Sequence, residues 1–318
     1  MRVLVTGATG FVGRGLIRAC ADSDGIDIVA ALRNSQSYSE PHVNVVVMGD
    51  ISEGTDWTRA IEGVDVVVHL AGRAHVIGEA PADALAKFRA VNLEGTTALA
   101  RQARNAGVKR FILISSIGVN GARTIDKPFE EESIPTPHAD YAVSKFEAEQ
   151  ALRQTARGST MEWVIVRPPL VYGAQAPGNF GRLLKLVSYG LPLPFASVKN
   201  SRSMISLENL AHFLRQCITH PRAANQLFLI SDGIALSTAE IISHLAVGMG
   251  VKARLLPCPP VLMRLGANML GRPGMYTQLC ESLVVDSRKA NSLLDWLPPL
   301  LPEFALQECG REFRALRP

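Results

Sequence analysis

Residues 3–13 read Val3-Leu4-Val5-Thr6-Gly7-Ala8-Thr9-Gly10-Phe11-Val12-Gly13. A β-branched run breaks into three evenly spaced glycines and then into helix-forming sequence. Strand, glycine turn and helix in that order form a phosphate cradle. The glycines let the chain turn tightly and approach a pyrophosphate, and the free N–H groups of the helix N-terminus meet the anion. The spacing is G-x-x-G-x-x-G, and its context at a strand-to-helix turn is the one a dinucleotide site requires. Gly7, Gly10, Phe11 and Val12 are therefore candidate cofactor contacts, with an ordinary strand-to-helix turn as the plainer alternative.

Working outward, the next apolar run ends Ala31-Leu32-Arg33-Asn34. An acidic residue at that point would bind the ribose 2′-hydroxyl of NAD. Arg33 stands there instead, and an arginine can pair with a 2′-phosphate, so NADP is favoured over NAD. A solvated arginine is the alternative. Asp50 and Ile51 follow the third run and are placed to embrace an adenine, although Asp50 would also serve as a helix cap.

The same alternation continues. Strands are expected at Val3–Thr6, Asp27–Leu32, Asn44–Met48, Val64–Leu70, Arg110–Ser115 and Trp163–Arg167. Most are nearly continuous in Val, Ile and Leu, as in strands covered on both faces. Helices are expected between them at Gly13–Ala21, Trp57–Ile61, Ala84–Asn105 and Tyr141–Arg157. This order predicts an α/β fold, a Rossmann-type doubly wound parallel sheet of six or more strands. After Arg167 the texture changes to Pro168-Pro169 and the loop-forming Gly173–Gly178. A helix is expected at Phe180–Tyr189, a strand at Phe228–Ile230, and a helix at Ser237–Gly248 capped by Ser237 or Thr238. The expected division is a cofactor domain over residues 1–168, completed by parts of 200–235. A smaller C-terminal substrate-binding domain would take residues 169–200 and 236–318.

Composition excludes several classes. Thirty-three basic against 29 acidic residues leave a net charge of +4, without the dense basic stripe of a nucleic-acid binder. Cys20, Cys217, Cys258, Cys280 and Cys309 are scattered without a C-x-x-C pair, so neither a metal site nor a disulfide framework is indicated. Val3-Leu4-Val5 already reads as buried strand, so no secretory leader is expected, and a reducing cytoplasm is the simplest location. The apolar stretch from Leu255 to Leu270 is broken by Pro257, Pro259, Pro260 and Arg264, so no membrane span is expected.

Further motifs are His69-Leu70-Ala71-Gly72, Val91-Asn92-x-x-Gly95-Thr96, Ser115-Ser116, Tyr141-x-x-x-Lys145 and Arg167-Pro168. Together with the glycine turn they make the chain resemble the extended short-chain dehydrogenase/reductase family over nearly its whole length. The likeness is to nucleotide-sugar 4-epimerases and 4-keto-sugar reductases. Tyr141 and Lys145 lie four apart on one helix face. A phenol is a poor base at neutral pH, and a neighbouring ammonium is expected to lower its pKa. Tyr141 would then exchange a proton with a sugar oxygen as hydride moves to or from a nicotinamide. The resemblance implies that Ser116 bonds the same oxygen and that Lys145 also holds the nicotinamide ribose. It further implies cofactor contacts at Leu70, Ala71, Gly72 and Pro168, and an Asn92 that braces the sheet beside the site.

On the substrate side, the resemblance places Asn179 and Arg202 against the sugar and diphosphate, with Arg272 as a second arginine; guanidinium forks suit phosphate oxygens. Leu191-Pro192-Leu193-Pro194-Phe195 is expected to line a base pocket. The stretch after Ser116 lacks the Thr-Asp-Glu of the family's dehydratases, which argues against 4,6-dehydration. Leu170 and Arg33 differ from the best-known galactose epimerases. The partner is thus expected to be a nucleotide sugar, and a homodimer is one expectation for assembly. Arg33 tilts the reading to NADPH-dependent reduction of a UDP-linked 4-keto-6-deoxy sugar. The alternative is a UDP-hexose or UDP-N-acetylhexosamine 4-epimerase with bound NAD. A non-catalytic dinucleotide sensor is a third reading, disfavoured because Ser116, Tyr141 and Lys145 are all intact.

Overall fold

The computed structural model describes residues 1–21, 25–34, 40, 43–74, 83–269, 271 and 273–316. Strands β1 (Arg2–Thr6), β2 (Asp27–Leu32), β3 (Val43–Val47), β4 (Val66–His69), β5 (Arg110–Ile114), β6 (Glu162–Arg167) and β9 (Gln226–Leu229) form one parallel sheet in the order β3-β2-β1-β4-β5-β6-β9. Two further short strands, β7 (Leu170–Tyr172) and β8 (Met204–Ser206), pair with each other in parallel. In register, Val5 of β1 lies between Ala30 of β2 and Val68 of β4.

The pleat explains the continuous apolar runs. Val3, Val5, Ile28 and Ala30 enter the core on one face, and Leu4, Val29 and Ala31 enter the core on the other. The first face is covered by α1 (Phe11–Ala21), through Leu16, Ile17 and Cys20, and by the helix Leu207–Thr219, through Leu210, Phe213, Leu214 and Cys217. The second is covered by the helices Thr96–Asn105 and Asp140–Ala156, through Leu99, Ala103, Ala148 and Leu152. In chain order the helices after α1 are α2 (Thr58–Ile61), α3 (Ala84–Arg89), α4 (Thr96–Asn105), α5 (Asp140–Ala156), α6 (Gly178–Ser188), α7 (Leu207–Thr219), α8 (Thr238–Gly248), α9 (Pro260–Met269), α10 (Pro273–Cys280), α11 (Arg288–Leu294) and α12 (Pro302–Ala315).

A third cluster sits beyond the sheet, where Phe180, Leu184, Leu193, Phe195, Ile242, Leu245, Leu306 and Phe313 join α6, α8 and α12. Leu193 and Phe195 are thus buried in the core of this region, while Leu191 of the same segment is exposed. Ser237 caps α8 reciprocally: its Oγ accepts from Glu240 N at 3.2 Å, and its own N–H donates to Glu240 Oε2 at 2.7 Å.

The structure departs from the sequence expectation at several points, among them β7, β8 and the helices α9 to α12, which fall where no element is expected. The segment 84–105 is not one helix, because a π-helical turn over Ala90–Gly95 separates α3 from α4. The α7 helix falls in a stretch for which no element was expected, although Ser206 caps it by accepting from Asn209 N at 3.0 Å. Asp50 is not a helix cap, since α2 begins only after Trp57. Arg110, a basic residue inside a central strand, is buried at the C-terminal end of α7. There its Nη1 donates to the carbonyls of Cys217 at 2.6 Å and His220 at 3.0 Å, which are among the last carbonyls a helix cannot satisfy by itself.

Among the described residues, no helix is long and apolar enough to cross a membrane. The strand order reverses between β1 and β4, so a crevice opens at their C-terminal ends, which is where open α/β sheets bind ligands.

Candidate active site

The crevice begins at Gly7, which leaves β1 with φ +69°. Its Cα passes so close to β4 that a Cβ there would stand 2.7 Å from the Ala71 nitrogen. Only glycine satisfies both demands. The turn is closed by Gly10 N donating to Gly7 O at 2.9 Å, and α1 starts at once, with the N–H groups of Phe11 and Val12 in its first turn. Beneath it Thr6 Oγ1 pairs with His69 Nδ1 at 2.7 Å and accepts from Ala71 N at 3.2 Å, and His69 Nε2 pairs with Thr96 Oγ1 at 2.9 Å. Burial, reinforced by the charge of Lys145, pulls the His69 pKa down to about 3, so the imidazole is neutral and serves as a tie between strands and α4.

Contacts then run without a gap to the reacting groups. Asn92 sits on the π-turn and faces inward. Its Oδ1 accepts from Arg73 N at 2.7 Å, and its Nδ2 donates to Arg73 O at 3.1 Å and to Ser144 Oγ at 3.0 Å. Ser144 Oγ in turn donates to Tyr141 O at 2.8 Å. The wide turn supplies what a regular helix would not: a side chain aimed across the crevice at two other elements. At Gly72, a Cβ would lie 3.1 Å from Asn92 Oδ1 and 3.2 Å from Lys145 Nζ, so the missing side chain leaves the ammonium open toward the crevice. Ile51 packs onto the π-turn, within 2.5 Å of where a Gly95 Cβ would be.

On α5, Tyr141, Lys145 and Glu149 recur every four residues on one face. Lys145 is buried and donates from Nζ to Ile114 O at 2.9 Å. Burial lowers its pKa to about 8, against the opposing pull of Glu149. Burial also pushes the Tyr141 phenol up to about 12, the reverse of the lowering expected from the sequence. Desolvation alone sets the direction in the protein by itself. The Phe88 ring meets Tyr141 edge-on, 6.0 Å between centroids.

Ser116 is extended and caps a short 3-10 turn, accepting from Gly118 N at 3.1 Å, which leaves its O–H to donate elsewhere. A Cβ on Gly118 would lie 3.3 Å from Ser116 Oγ and 3.4 Å from Ala142 Cβ, so the serine turn lies against the start of α5, one residue from Tyr141. Pro168 closes the other side, accepting from Ile117 N at 3.0 Å.

Below this assembly lies an ion pair that the sequence reading did not single out. Arg167, at the end of β6, donates to Glu149 Oε1 at 2.8 Å from Nε and to Oε2 at 2.6 Å from Nη2, and to Asn120 Oδ1 at 2.9 Å. Ser115 also donates to Glu149. Both charged side chains are about 97% or more buried, with 3% and 2% exposed. The signal was present as Glu149, a third residue at the four-residue spacing of Tyr141 and Lys145.

The remaining candidates are distributed. Arg33 and Asp50 meet at 2.9 Å in an exposed pair at the ends of β2 and β3. Asn179 and Arg202 both reach α10: Asn179 donates to Gln278, and Arg202 Nη1 donates to the carbonyls of Glu281 at 3.2 Å and Thr277 at 3.4 Å. Arg272 lies outside the described residues.

A Rossmann crevice with a serine, a tyrosine and a buried lysine converging at the strand ends defines a nicotinamide-dependent oxidoreductase of the short-chain type. The chain belongs to the NAD dependent epimerase/dehydratase family, whose model matches residues 3–230. It is 40% identical over 313 residues to the UDP-glucose 4-epimerase of Vibrio cholerae, covering 98% of this chain and 95% of that protein. Two solved structures share its fold at 22% identity. They are the UDP-glucuronic acid 4-epimerase of Bacillus cereus in complex with NAD, with a TM-score of 0.79 over 100% of this chain and 98% of that one, and the UDP-N-acetylglucosamine 4-epimerase of Bacillus cereus, with a TM-score of 0.78 over 99% of each.

Proposed function

We propose that this protein is a UDP-hexose 4-epimerase working with a retained NAD. The nearly full-length 40% identity to the Vibrio cholerae UDP-glucose 4-epimerase carries the reading. It reverses the tilt that Arg33 gave toward an NADPH-dependent reductase. The placement of Arg33 against Asp50 supports the reversal, since the guanidinium already has an anionic partner.

The crevice suits a dinucleotide: Gly7 and Gly72 keep side chains out of it, and the first turn of α1 offers N–H groups to a pyrophosphate. When bound, NAD would supply the acceptor for the C4 hydride and, once reduced, the donor that gives it back to the other face of the keto sugar; its oxidised ring would add a positive charge that favours the phenolate. Tyr141 takes the proton from the C4 hydroxyl and returns it after the keto sugar has turned over. Ser116 donates to the same oxygen and holds it near the phenol. Lys145, held by Ile114 O and open past Gly72, keeps a positive charge beside the phenol and the ribose. The region of residues 169–200 and 236–318 holds the nucleotide sugar, with Asn179 and the free edge of the Arg202 fork toward the diphosphate, and the reaction takes place in the cytoplasm.

The test is to denature purified protein and assay the supernatant for NAD, and to follow UDP-glucose/UDP-galactose and UDP-GlcNAc/UDP-GalNAc interconversion without added cofactor. Retained NAD with interconversion of either pair is expected. A cofactor-free protein that oxidises NADPH with a UDP-4-keto-6-deoxy sugar would make it the reductase instead.

A further inference from the structure

Helix α9 turns four large apolar side chains to solvent: Val261, Leu262, Leu265 and Met269 are 69%, 58%, 54% and 88% exposed. At 100° per residue they cover one arc of about 100°, edged on one side by Asn268 and Arg264. The opposite side is used by the fold, where Ala267 is buried and Met263 packs on the core under α6 and α8. The helix is therefore anchored, and its outward arc is not a face waiting for the rest of this chain. The apolar surface continues into the chain that leads to α9. Leu256 is exposed and its N–H donates to Leu193 O at 2.8 Å, while Leu193 N donates to Arg254 O at 2.8 Å. Leu191 and Tyr189, two and four residues before Leu193, are exposed as well.

Charge distinguishes among occupants. Residues 241–280, from α8 through α9 to α10, contain no aspartate or glutamate, and neither do residues 163–207, which carry α6, so all 29 acidic residues of the chain lie elsewhere. Arg182, Lys185, Lys252, Arg254 and Arg264 are exposed within them. A symmetric contact with a second copy would set these cations against themselves with no carboxylate from either stretch to pair them. An anionic lipid surface offers both complements, acyl chains for the apolar arc and headgroup charge for the basic residues around it.

We propose that α9, with the paired segments 189–193 and 254–256, is a docking surface for an anionic bilayer, on which the protein lies peripherally with α9 in the interfacial plane. The proposal is independent of which sugar reaction the crevice performs. The full-length protein is sedimented with vesicles of equal phosphatidylglycerol and phosphatidylcholine, and with phosphatidylcholine alone. Sedimentation with the anionic vesicles at low ionic strength is expected, weakened about tenfold as the Debye length shrinks from roughly 10 Å to 3 Å on going from 0.1 M to 1 M salt.

The double variant L262D/L265D, in which two exposed side chains change, should lose vesicle binding while keeping the thermal unfolding temperature. K252E/R254E should bind anionic vesicles more weakly and leave any residual binding to neutral ones unchanged. No binding to anionic vesicles at low salt overturns the proposal, as does undiminished binding by folded L262D/L265D. A concentration-dependent dimer abolished by L262D/L265D, in a protein that ignores vesicles, would make the face a contact between copies and overturn it too.

Discussion

The cofactor end of the crevice and the region around α10 handle polar side chains in opposite ways. At the cofactor end Asn92, Ser144, Glu149 and Arg167 are buried and fixed to one another or to main chain at 2.6–3.1 Å. Around α10, Asn179 is exposed on a side chain–side chain contact, and Arg202 rests on carbonyls at 3.2–3.4 Å. The first arrangement is preorganised, the condition under which positioned dipoles and proton donors act on a transition state without reorganising. The second is adjustable, and a substrate can displace what holds it. Substitutions at the first end should therefore act on turnover or folding, and those at the second on substrate affinity alone.

The largest expected effect tests the preorganised end. Tyr141→Phe keeps the ring packed against Phe88 and removes the exchangeable proton. Turnover on the true substrate should fall by about a hundred-fold to ten-thousand-fold with cofactor affinity nearly intact. Lys145→Ala should lower both, because the proposed mechanism sets the same ammonium beside the phenol and the ribose. Measuring kcat and cofactor Kd for the two variants checks this, and a Tyr141→Phe enzyme with near-normal kcat removes the proposed mechanism.

Next comes the ion pair beneath. Glu149→Gln leaves the Arg167 guanidinium buried without its carboxylate, a change that costs about 3–5 kcal/mol in comparable pairs. Asn179→Ala, on the adjustable side, should move stability by no more than about 0.5 kcal/mol. Urea unfolding of both variants reads the contrast directly, and similar losses would erase the distinction between the two regions.

A matched pair of glycines sharpens it further. Gly7 and Gly178 have nearly the same positive φ, +69° and +70°, but nothing lies within 4 Å of a Cβ at Gly178. Alanine at either should cost about 1–2 kcal/mol for the backbone. At Gly7, where the Cβ would be 2.7 Å from the Ala71 nitrogen, the overlap should add about 1–3 kcal/mol more and weaken NAD binding. Equal destabilisation would mean that the β1–β4 approach relaxes freely.

The same contrast explains what the sequence revealed. The sheet, and the placement of Tyr141 and Lys145 on one helix face, were legible because their determinants are local: nearly continuous apolar runs, a glycine turn, a four-residue spacing on one helix. The π-turn was not legible, since a lone Gly95 inside Ala84–Asn105 does not announce one, and Asn92's bonds run to Arg73 and Ser144, which are distant in sequence. Helix α7 was readable in principle from its Ser206 cap and apolar stripe, but it follows the irregular stretch of prolines and glycines. The Tyr141 pKa was misread because spacing reports a neighbouring charge and says nothing of burial. The partners of Asn179 and Arg202 lie 75 residues or more away, on α10, and no local pattern announces them.

The smallest effect on stability, and the sharpest on cofactor choice, belongs to Arg33. Its pair with Asp50 is 78% and 83% exposed, so its coupling should be no more than about 1 kcal/mol and should shrink in high salt. Arg33→Ala should therefore leave the unfolding midpoint unchanged within error. With NAD as the working cofactor, which has no 2′-phosphate for the guanidinium to grip, NAD affinity should change by about threefold or less, a difference of roughly 0.6 kcal/mol. Had the arginine been selected to bind a 2′-phosphate, the charge-assisted contact would be worth about 1.5–3 kcal/mol, and Arg33→Ala would weaken NADP binding by about ten-fold to more than a hundred-fold. Titrating wild type and variant with both dinucleotides distinguishes these outcomes. A wild-type protein that prefers NADP, and loses that preference with Arg33, would overturn the retained-NAD epimerase even if every other residue of the crevice behaves as proposed, because Ser116, Tyr141 and Lys145 serve the reductase equally well.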